Sequence, residues 1–188
     1  MRMSYDFQLF RVPVGVDPMS AYEMHLGQQR ARAASRHRGE DYWGSVDPLK
    51  EKMKRQLSAT LIRSHPELQL SERNYVELAR IKSINEDEAR RRYRDLELSD
   101  LELGLQVLLF DDTAYVTLSF DPENRAKAET RLQTAWGCLM VLEREGSFST
   151  YDSQAGKILH LDSDFEAVLQ RYLSASHKVD AALRSQPM

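Results

Sequence analysis

The chain has 188 residues, and its 26 Lys and Arg against 29 Asp and Glu give a formal net charge of -3. Hydrophobic residues make up 41% and charged residues 29%, which is close to globular usage and excludes a chain disordered along its length. A single Cys excludes a disulfide scaffold, and the near-neutral balance argues against a dedicated nucleic-acid binder. We therefore expect one domain spanning residues 1–188.

The N-terminal residues contain no apolar stretch of the length that a signal peptide needs, and no window approaches the roughly 18 apolar residues of a membrane span. The lone Cys138 cannot form an internal disulfide, which fits a reducing compartment. We therefore predict a cytoplasmic protein. Cys138 lies on the apolar stripe of a predicted helix, which indicates an inert core residue; a reactive thiol is the alternative.

In chain order, the alternating residues 5–12 predict a first strand. Two helices follow, and each opens with the same start signal, an aspartate N-cap before a proline at the first helical position. A proline after His65 ends the second helix, because the residue before proline is disfavoured in the α region. Asp17-Pro18 starts the helix predicted over 18–35, and Asp47-Pro48 starts the helix predicted over 48–64.

Residues 67–100 are open to more than one interpretation, and no role is assigned to them. Residues 75–79 fit either a short strand or a helical turn. Residues 85–93 place acids first and bases last, which suits a short helix and its dipole, although a solvated charged loop fits as well.

The C-terminal half has clearer patterns. Two hairpins are predicted, one around Asp111, Asp112 and Thr113 and one around residues 152–156. A third aspartate–proline pair opens a long helix whose apolar stripe we expect to be buried, and Gly146 is predicted as its left-handed C′ residue. A last helix is expected to start at Asp162 or Ser163. The predicted strands are 103–110 with 114–120 and 148–151 with 157–161, and the long helix runs from Asp121-Pro122 to Glu145, burying Leu132, Ala135, Trp136, Leu139 and Met140.

Hairpins rather than parallel crossovers indicate the α+β class. We expect a mainly antiparallel sheet of four to five strands covered by helices. The helices within 18–65 are expected to form a separate hairpin-like N-terminal lobe beside that sheet.

The sequence contains no motif that by itself indicates catalysis. There is no HExxH or Cys-rich metal spacing, no glycine-rich phosphate loop and no nucleophile elbow, so no metal, cofactor or catalytic residue is assigned. The acidic pairs Asp111-Asp112 and Asp162/Asp164 fit turn and N-cap roles better than cation binding. An enzyme would need a site assembled from distant residues, for example His160 with Asp152 and Tyr151.

The charge is distributed unevenly along the chain. Residues 28–65 contain nine Lys and Arg and four acids, so this segment carries +5 and the remainder carries -8. Two aromatic residues, Tyr42 and Trp43, lie between the basic residues of this segment. The pattern is typical of a solvated helix face, of a surface that binds an acidic protein, or of a surface that binds nucleic acid. Its bases are Arg30, Arg32, Arg36, Arg38, Lys50, Lys52, Lys54, Arg55 and Arg63.

Two stretches carry a resemblance. The opening residues 4–10, SYDFQLF, and the late residues 146–157, GSFSTYDSQAGK, resemble small bacterial proteins of unknown function. Those proteins start with M-x-Y-D-L and carry a late G-x-x-x-Y-D-P-Q-x-G turn. This chain has Ser153 at the position where that pattern has proline. Some of them resemble immunity proteins encoded beside toxins. The resemblance implies no catalytic residue.

Together these observations favour a non-enzymatic cytoplasmic bacterial protein that binds another protein with an acidic surface, for instance an immunity protein that occludes a toxin. Nucleic-acid association through residues 28–65 is the alternative, and an enzyme with a site not visible in sequence is a third. The turn at 152–156 has a structural explanation in its Asp, Ser and Gly residues and a functional one as a recognition loop. The candidate partner-binding residues are Arg30, Arg32, Arg36, Arg38, Trp43, Asp152 and Gln154.

Overall fold

The computed structural model describes residues 4–37, 46–120 and 125–184, with side chains described over 4–31, 46–120 and 125–176. The strands are β1 (Ser4–Arg11), β2 (Gln69–Leu70), β3 (Leu96–Asp100), β4 (Leu105–Leu109), β5 (Thr113–Ser119), β6 (Phe148–Asp152) and β7 (Lys157–Ile158). The helices are α1 (Pro18–His37), α2 (Pro48–Ser64), α3 (Tyr75–Lys82), α4 (Glu86–Arg92), α5 (Arg125–Gly146) and α6 (Phe165–Arg184).

The described strands form one antiparallel sheet in the order β2-β3-β4-β5-β1-β6-β7. The earliest strand, β1, lies inside the sheet, where Phe7 pairs with Val116 of β5 on one side and with Asp152 of β6 on the other. The α+β class and the antiparallel sheet are as predicted. The sheet has seven described strands rather than four or five, because β2 and β3, which were not predicted, are added at one end, whereas β7 corresponds to the strand predicted at 157–161.

One face of the sheet carries the main core. Side chains alternate between the two faces of a strand, so Tyr5, Phe7 and Leu9 of β1 point to the same side. They lie in one buried cluster with apolar residues of β4 and β5 and with α2, α5 and α6. The buried members contributed by the helices include Leu57, Leu61, Leu132, Leu139, Val168 and Tyr172.

The opposite face is covered at β1 and β7 by α1. Phe10 of β1 is buried on this face in a smaller cluster with Ala21 and Tyr22, next to the partly buried Tyr151. The adjacent Leu9 and Phe10 are therefore both buried, since the sheet is covered on both sides at this point.

The expected two-helix N-terminal lobe differs from the observed arrangement. The helix α1 packs on β1 and β7, whereas α2 packs on α5 and β3 and contributes to the other face's core. The physical reason is that each helix buries its own apolar stripe against the sheet. The stripe of α1 is short, with Ala21, Tyr22 and Leu26, and it matches the small cluster around Phe10.

Local signals placed the helix ends well. Asp47 caps α2 by accepting a hydrogen bond from the N–H of Leu49 at 2.9 Å, with Pro48 as the first helical residue, and His65 is the C-cap. Asp17 accepts from the N–H of Ser20 at 3.0 Å at the start of α1. The third start signal, at Asp121-Pro122, lies outside the described residues.

Residues 67–100 contain two helices and two strands. Residues 75–79 are helical, because the Asn74 side chain caps α3 by accepting from the N–H of Glu77 at 3.1 Å. The acids-first helix is confirmed as α4, which Asn85 caps. The strand β3 was not predicted; it pairs with β4 along its whole length.

The end of α5 differs from the prediction. Gly146 is the last helical residue, and Ser147 holds the left-handed conformation with a φ of 54°. Gly146 is required because a side chain does not fit there: a Cβ at this position would lie 2.6 Å from the Phe148 ring. Met140, predicted as buried, is 49% exposed, whereas Leu132, Ala135, Trp136 and Leu139 are buried as predicted.

Cys138 is fully buried in the core that α5 contributes to. Burial raises the pKa of its thiol to about 12, and the negative charge of Asp100 acts in the same direction. The thiolate is the reactive form, so this environment keeps Cys138 inert.

We expect Cys138 to react with a water-soluble disulfide reagent more than about a hundredfold more slowly in the native protein than in denaturant, because the thiol is reached only after unfolding. The measurement is the labelling rate of native and urea-unfolded protein. The variant Ala59→Cys, at an exposed position of α2, supplies a reactive reference thiol on the same chain. Native labelling of Cys138 as fast as that of this reference would contradict the assignment.

Candidate functional site

The carboxylate of Asp152 is fully buried and accepts hydrogen bonds from four groups. Its Oδ2 accepts from the Tyr5 hydroxyl at 2.8 Å and from Arg171 Nη2 at 3.2 Å. Its Oδ1 accepts from the backbone N–H groups of Gln154 and Ala155 at 2.9 and 3.0 Å. A buried carboxylate needs such compensation, because an unpaired buried charge is costly. One side chain thereby connects β1, the turn after β6 and α6.

Tyr5 and Arg171 are held by the same network. Burial raises the pKa of Tyr5; the hydrogen bond with Arg171 lowers it, and the hydrogen bond and charge of Asp152 raise it again, with a net increase. Tyr5 therefore remains a hydrogen-bond donor at neutral pH. The pKa of Arg171, which burial alone would lower, is raised by its contacts with Tyr5 and Asp152.

The two stretches that carry the resemblance contact each other. Besides the Tyr5–Asp152 bond, the N–H of Asp6 donates to Gln154 Oε1 at 3.3 Å. Gly156 has a φ of 67°, which favours glycine, and its N–H donates to the Asp152 carbonyl at 2.8 Å. The Tyr-Asp pair at the start and the Y-D-x-Q-x-G turn thus form one structural junction.

This junction changes what the turn can present to a partner. Asp152 faces the interior, so its carboxylate is not available at the surface in this structure, whereas Gln154 is exposed. Sequence reasoning missed Tyr5 and Arg171 as partners of Asp152, because they lie far from it in the sequence.

The residues of the enzyme hypothesis point in different directions. Tyr151 lies on the sheet face opposite to Asp152 and stacks on Tyr22 with ring centroids 3.8 Å apart. His160 is exposed and follows β7 instead of lying in a strand, and its N–H donates to Asp164 Oδ2 at 2.9 Å. Asp164 directly precedes α6, and its side chain contacts Lys157 and the N–H of His160 in the preceding turn.

Glu143 of α5 is a half-buried carboxylate that sequence reasoning did not single out. Its Oε1 accepts from the N–H and the hydroxyl of Thr150 at 3.0 and 2.7 Å. Burial raises the pKa of Glu143; the bonds from Thr150 lower it, and the charge of Asp162 raises it. These contacts fasten β6 to α5.

The basic segment is only partly described. Arg30 is exposed on α1. Arg32 and Arg36 belong to α1, but their side chains lie outside the described ones, and Arg38, Tyr42 and Trp43 lie outside the described residues altogether.

Two cations of α2, the buried Lys54 and the partly exposed Lys50, are neutralised by acids of the turn between β4 and β5. Lys54 is 2% exposed, and its ammonium lies 2.9 Å from Asp111 Oδ1, within ion-pair distance of Glu51 and 2.8 Å from the Arg94 carbonyl. Lys50 pairs with Asp112 at 2.6 Å. The acids at 111 and 112, expected only to form a turn, thus also anchor α2.

Arg94 completes this cluster with a 2.6 Å contact to Asp111 Oδ2. Burial by itself would raise the pKa of Asp111, but the hydrogen bonds and charges of Lys54 and Arg94 outweigh it and hold the pKa below its ordinary value. Three arginines of the basic run at 90–94 are ion-paired: Arg90 pairs with Glu86, Arg92 with Glu88 and Arg94 with Asp111.

The outward cations of α2 are Lys52, Arg55 and Arg63, which we call the cationic face of α2. Their spacing places them on one side of the helix, and all three are exposed. Within the part of the chain that the structure describes, none of the three has an ion-pair partner. Positive charge is therefore left uncompensated on this face.

Beside this face lies a cleft of about 450 Å³. Arg55 of α2 forms one wall, the segment 70–76 forms another, and Arg90 of α4 and the start of β3 close it. The lining residues are Arg55, Leu70, Ser71, Glu72, Arg73, Asn74, Tyr75, Val76, Arg90, Asp95 and Leu96.

Compared with protein-family models, with curated proteins and with solved structures, the chain gives no match. Among the described residues, no three His, Cys, Asp or Glu side chains come together in a group that could hold a metal ion. None of the described helices has both the length and the apolar character needed to cross a membrane.

The substitution Asp152→Asn is expected to lower the free energy of unfolding by about 2–4 kcal/mol, because it removes the buried charge that Arg171 and Tyr5 contact. Urea unfolding at neutral pH measures the loss. Glu102→Gln makes the same chemical change at an exposed site and should stay within about 0.5 kcal/mol of the parent. Equal stability of the two variants would show that the junction is not stabilising.

Lys54→Met should cost about 1–3 kcal/mol at neutral pH, because it leaves Asp111 and Glu51 without their buried cation. A carboxyl whose folded pKa is lowered contributes stability above its unfolded pKa of about 3.9, and this contribution is lost as the pH falls through the folded value. The difference between parent and variant should therefore shrink between about pH 7 and about pH 3. Urea unfolding at both pH values tests this, and a difference that grows in acid would contradict it.

Proposed function

We propose that this protein is a non-enzymatic protein-binding module that recognises an acidic partner through the cationic face of α2. The support for this proposal is the sorting of charge on one helix. Lys50 and Lys54 are neutralised by the β4–β5 turn, whereas Lys52, Arg55 and Arg63 are exposed without an ion-pair partner among the described residues.

Uncompensated cations on one face favour association with a negatively charged surface. Complementary potentials raise the rate of encounter and fix the orientation of the partners more than they add affinity. Because the whole chain carries -3, the positive face is set against a negative remainder. A partner that docks here is thus oriented as well as attracted.

A non-enzymatic role is supported by what Asp152 already does. This carboxylate, the acid of the enzyme hypothesis, is occupied by Tyr5, Arg171 and two backbone N–H groups. Its position explains the Y-D-x-Q-x-G turn as part of the scaffold.

The resemblance of residues 4–10 and 146–157 gives the proposal a particular form, a cytoplasmic bacterial immunity protein that occludes an acidic or catalytic cleft of a toxin. Nucleic acid is the other ligand that the cations of residues 28–65, including the exposed Arg30 of α1, would attract.

The test compares wild type with a variant whose cationic face is reversed, Lys52→Glu with Arg55→Glu and Arg63→Glu. A matched control reverses three exposed cations of α5, Arg125, Lys127 and Arg144, and so changes the net charge equally. We expect an acidic protein captured from cells of the source organism, and reconstituted in purified form, to lose at least about tenfold in affinity with the first variant only.

Equal capture by both variants would overturn the proposal. Retention of nucleic acid in a gel-shift assay, weakening steeply between low and moderate salt and lost in the α2 variant, would replace it with the nucleic-acid alternative.

A further inference from the structure

We infer that the cleft beside Arg55 is the specificity site of this surface, and that it takes an extended peptide segment of the partner in which an acidic residue adjoins an apolar one. This inference rests on the proposed function and names the chemistry that the partner must present. The cationic face attracts an acidic partner, whereas the cleft selects which peptide segment of an acidic partner binds.

Of the three arginines that line the cleft, Arg55 is the one available to a ligand. Arg73 is committed to Asp95, with Nη1 at 2.7 Å from Oδ1 and Nη2 contacting Oδ2, and it also donates to the Tyr93 carbonyl at 2.8 Å. Arg90 lies over the Tyr75 ring at 4.7 Å and pairs with Glu86. Arg55 is exposed and has no such partner among the described residues. A guanidinium in this state suits a carboxylate, which it binds through two parallel hydrogen bonds.

Part of the cleft wall is apolar. Leu70 is 44% exposed and Val76 is 64% exposed, and both line the cleft together with the partly buried Leu96. Exposed apolar side chains grouped in one cleft beside a cation mark an interaction site more strongly than scattered ones do. They provide the contact for an apolar side chain that neighbours the acid.

The acids of the cleft argue for a peptide over a nucleic acid. Glu72 is exposed and lines the cleft, as does Asp95, whose charge is paired with that of Arg73. A uniformly charged phosphate backbone would meet Glu72 as well as Arg55. A peptide with one acid opposite Arg55 and uncharged or basic neighbours avoids that repulsion, so Glu72 selects against polyanions.

The size of the cleft fits a short segment of chain. Ligand pockets are about 300–1,000 Å³, and a cleft of about 450 Å³ has room for a few side chains. The walls belong to α2, to the segment 70–76 and to α4, and the half-buried Arg73–Asp95 pair holds that segment to the start of β3. The site is thus formed before a ligand arrives.

The experiment uses the full chain against a displayed library of random twelve-residue peptides, with the enriched peptides synthesised and their Kd values measured by fluorescence anisotropy. We expect enrichment of peptides in which Asp or Glu adjoins Leu, Ile, Val or Phe. Arg55→Ala should weaken their binding about tenfold and Val76→Ser about fivefold, both more than Lys52→Ala, which removes a cation of the cationic face outside the cleft. The control Lys127→Ala, on α5 and outside both the cleft and the cationic face, should change it less than twofold.

The outcomes separate this inference from the proposed function. If Arg55→Ala and Lys52→Ala weaken acidic peptides equally, the cationic face binds without the cleft, and only the present inference is overturned. Enrichment of peptides without acids, or no enrichment, also overturns it, while capture of the acidic partner judges the function independently. All four substituted positions are exposed, and unchanged urea unfolding of each variant excludes misfolding as the cause of a loss.

Discussion

A single buried carboxylate connects the parts of this molecule that are farthest apart in sequence. Asp152 binds the hydroxyl of Tyr5 in the earliest strand, the backbone of its own turn and the guanidinium of Arg171 in the last described helix. Since a buried charge is tolerated only when its hydrogen bonds are made, β1, β6 and α6 can be assembled correctly in one arrangement. The placement of β1, of the turn after β6 and of α6 relative to one another depends on this constraint.

The second organising feature is the sorting of charge along α2. Lys50 and Lys54 form ion pairs with the acids of the β4–β5 turn, and these pairs hold the helix on the core. The other cations of the helix are exposed to solvent. The +5 of residues 28–65 therefore mixes two physically different populations. Paired cations support the fold, and unpaired ones such as Arg55 are the ones that a partner can contact.

Sequence patterns were sufficient where structure is decided locally. The aspartate caps and prolines located the starts of α1 and α2, and the hairpin around Asp111 followed from alternation and turn residues. Strand order and β3 were not predictable in this way, because pairing between distant strands leaves no local signal. The inward orientation of Asp152 was missed for the same reason: a turn aspartate appears exposed until Tyr5 and Arg171 are placed beside it. At the end of α5, the sequence indicated the importance of Gly146 but not its cause, which is that the Phe148 ring leaves no space for a side chain at this position.

The interior position of β1 has a consequence for biosynthesis. The strand β1 is synthesised before both of its partners, β5 and β6, which begin only at Thr113 and Phe148. Until then, an apolar strand with two unsatisfied hydrogen-bonding edges is exposed to other chains and to chaperones. Pairing across such sequence separations is slow compared with helix formation, so α1 and α2 can form before the sheet that will hold them. The nascent chain is therefore most vulnerable to aggregation between the synthesis of β1 and that of β6.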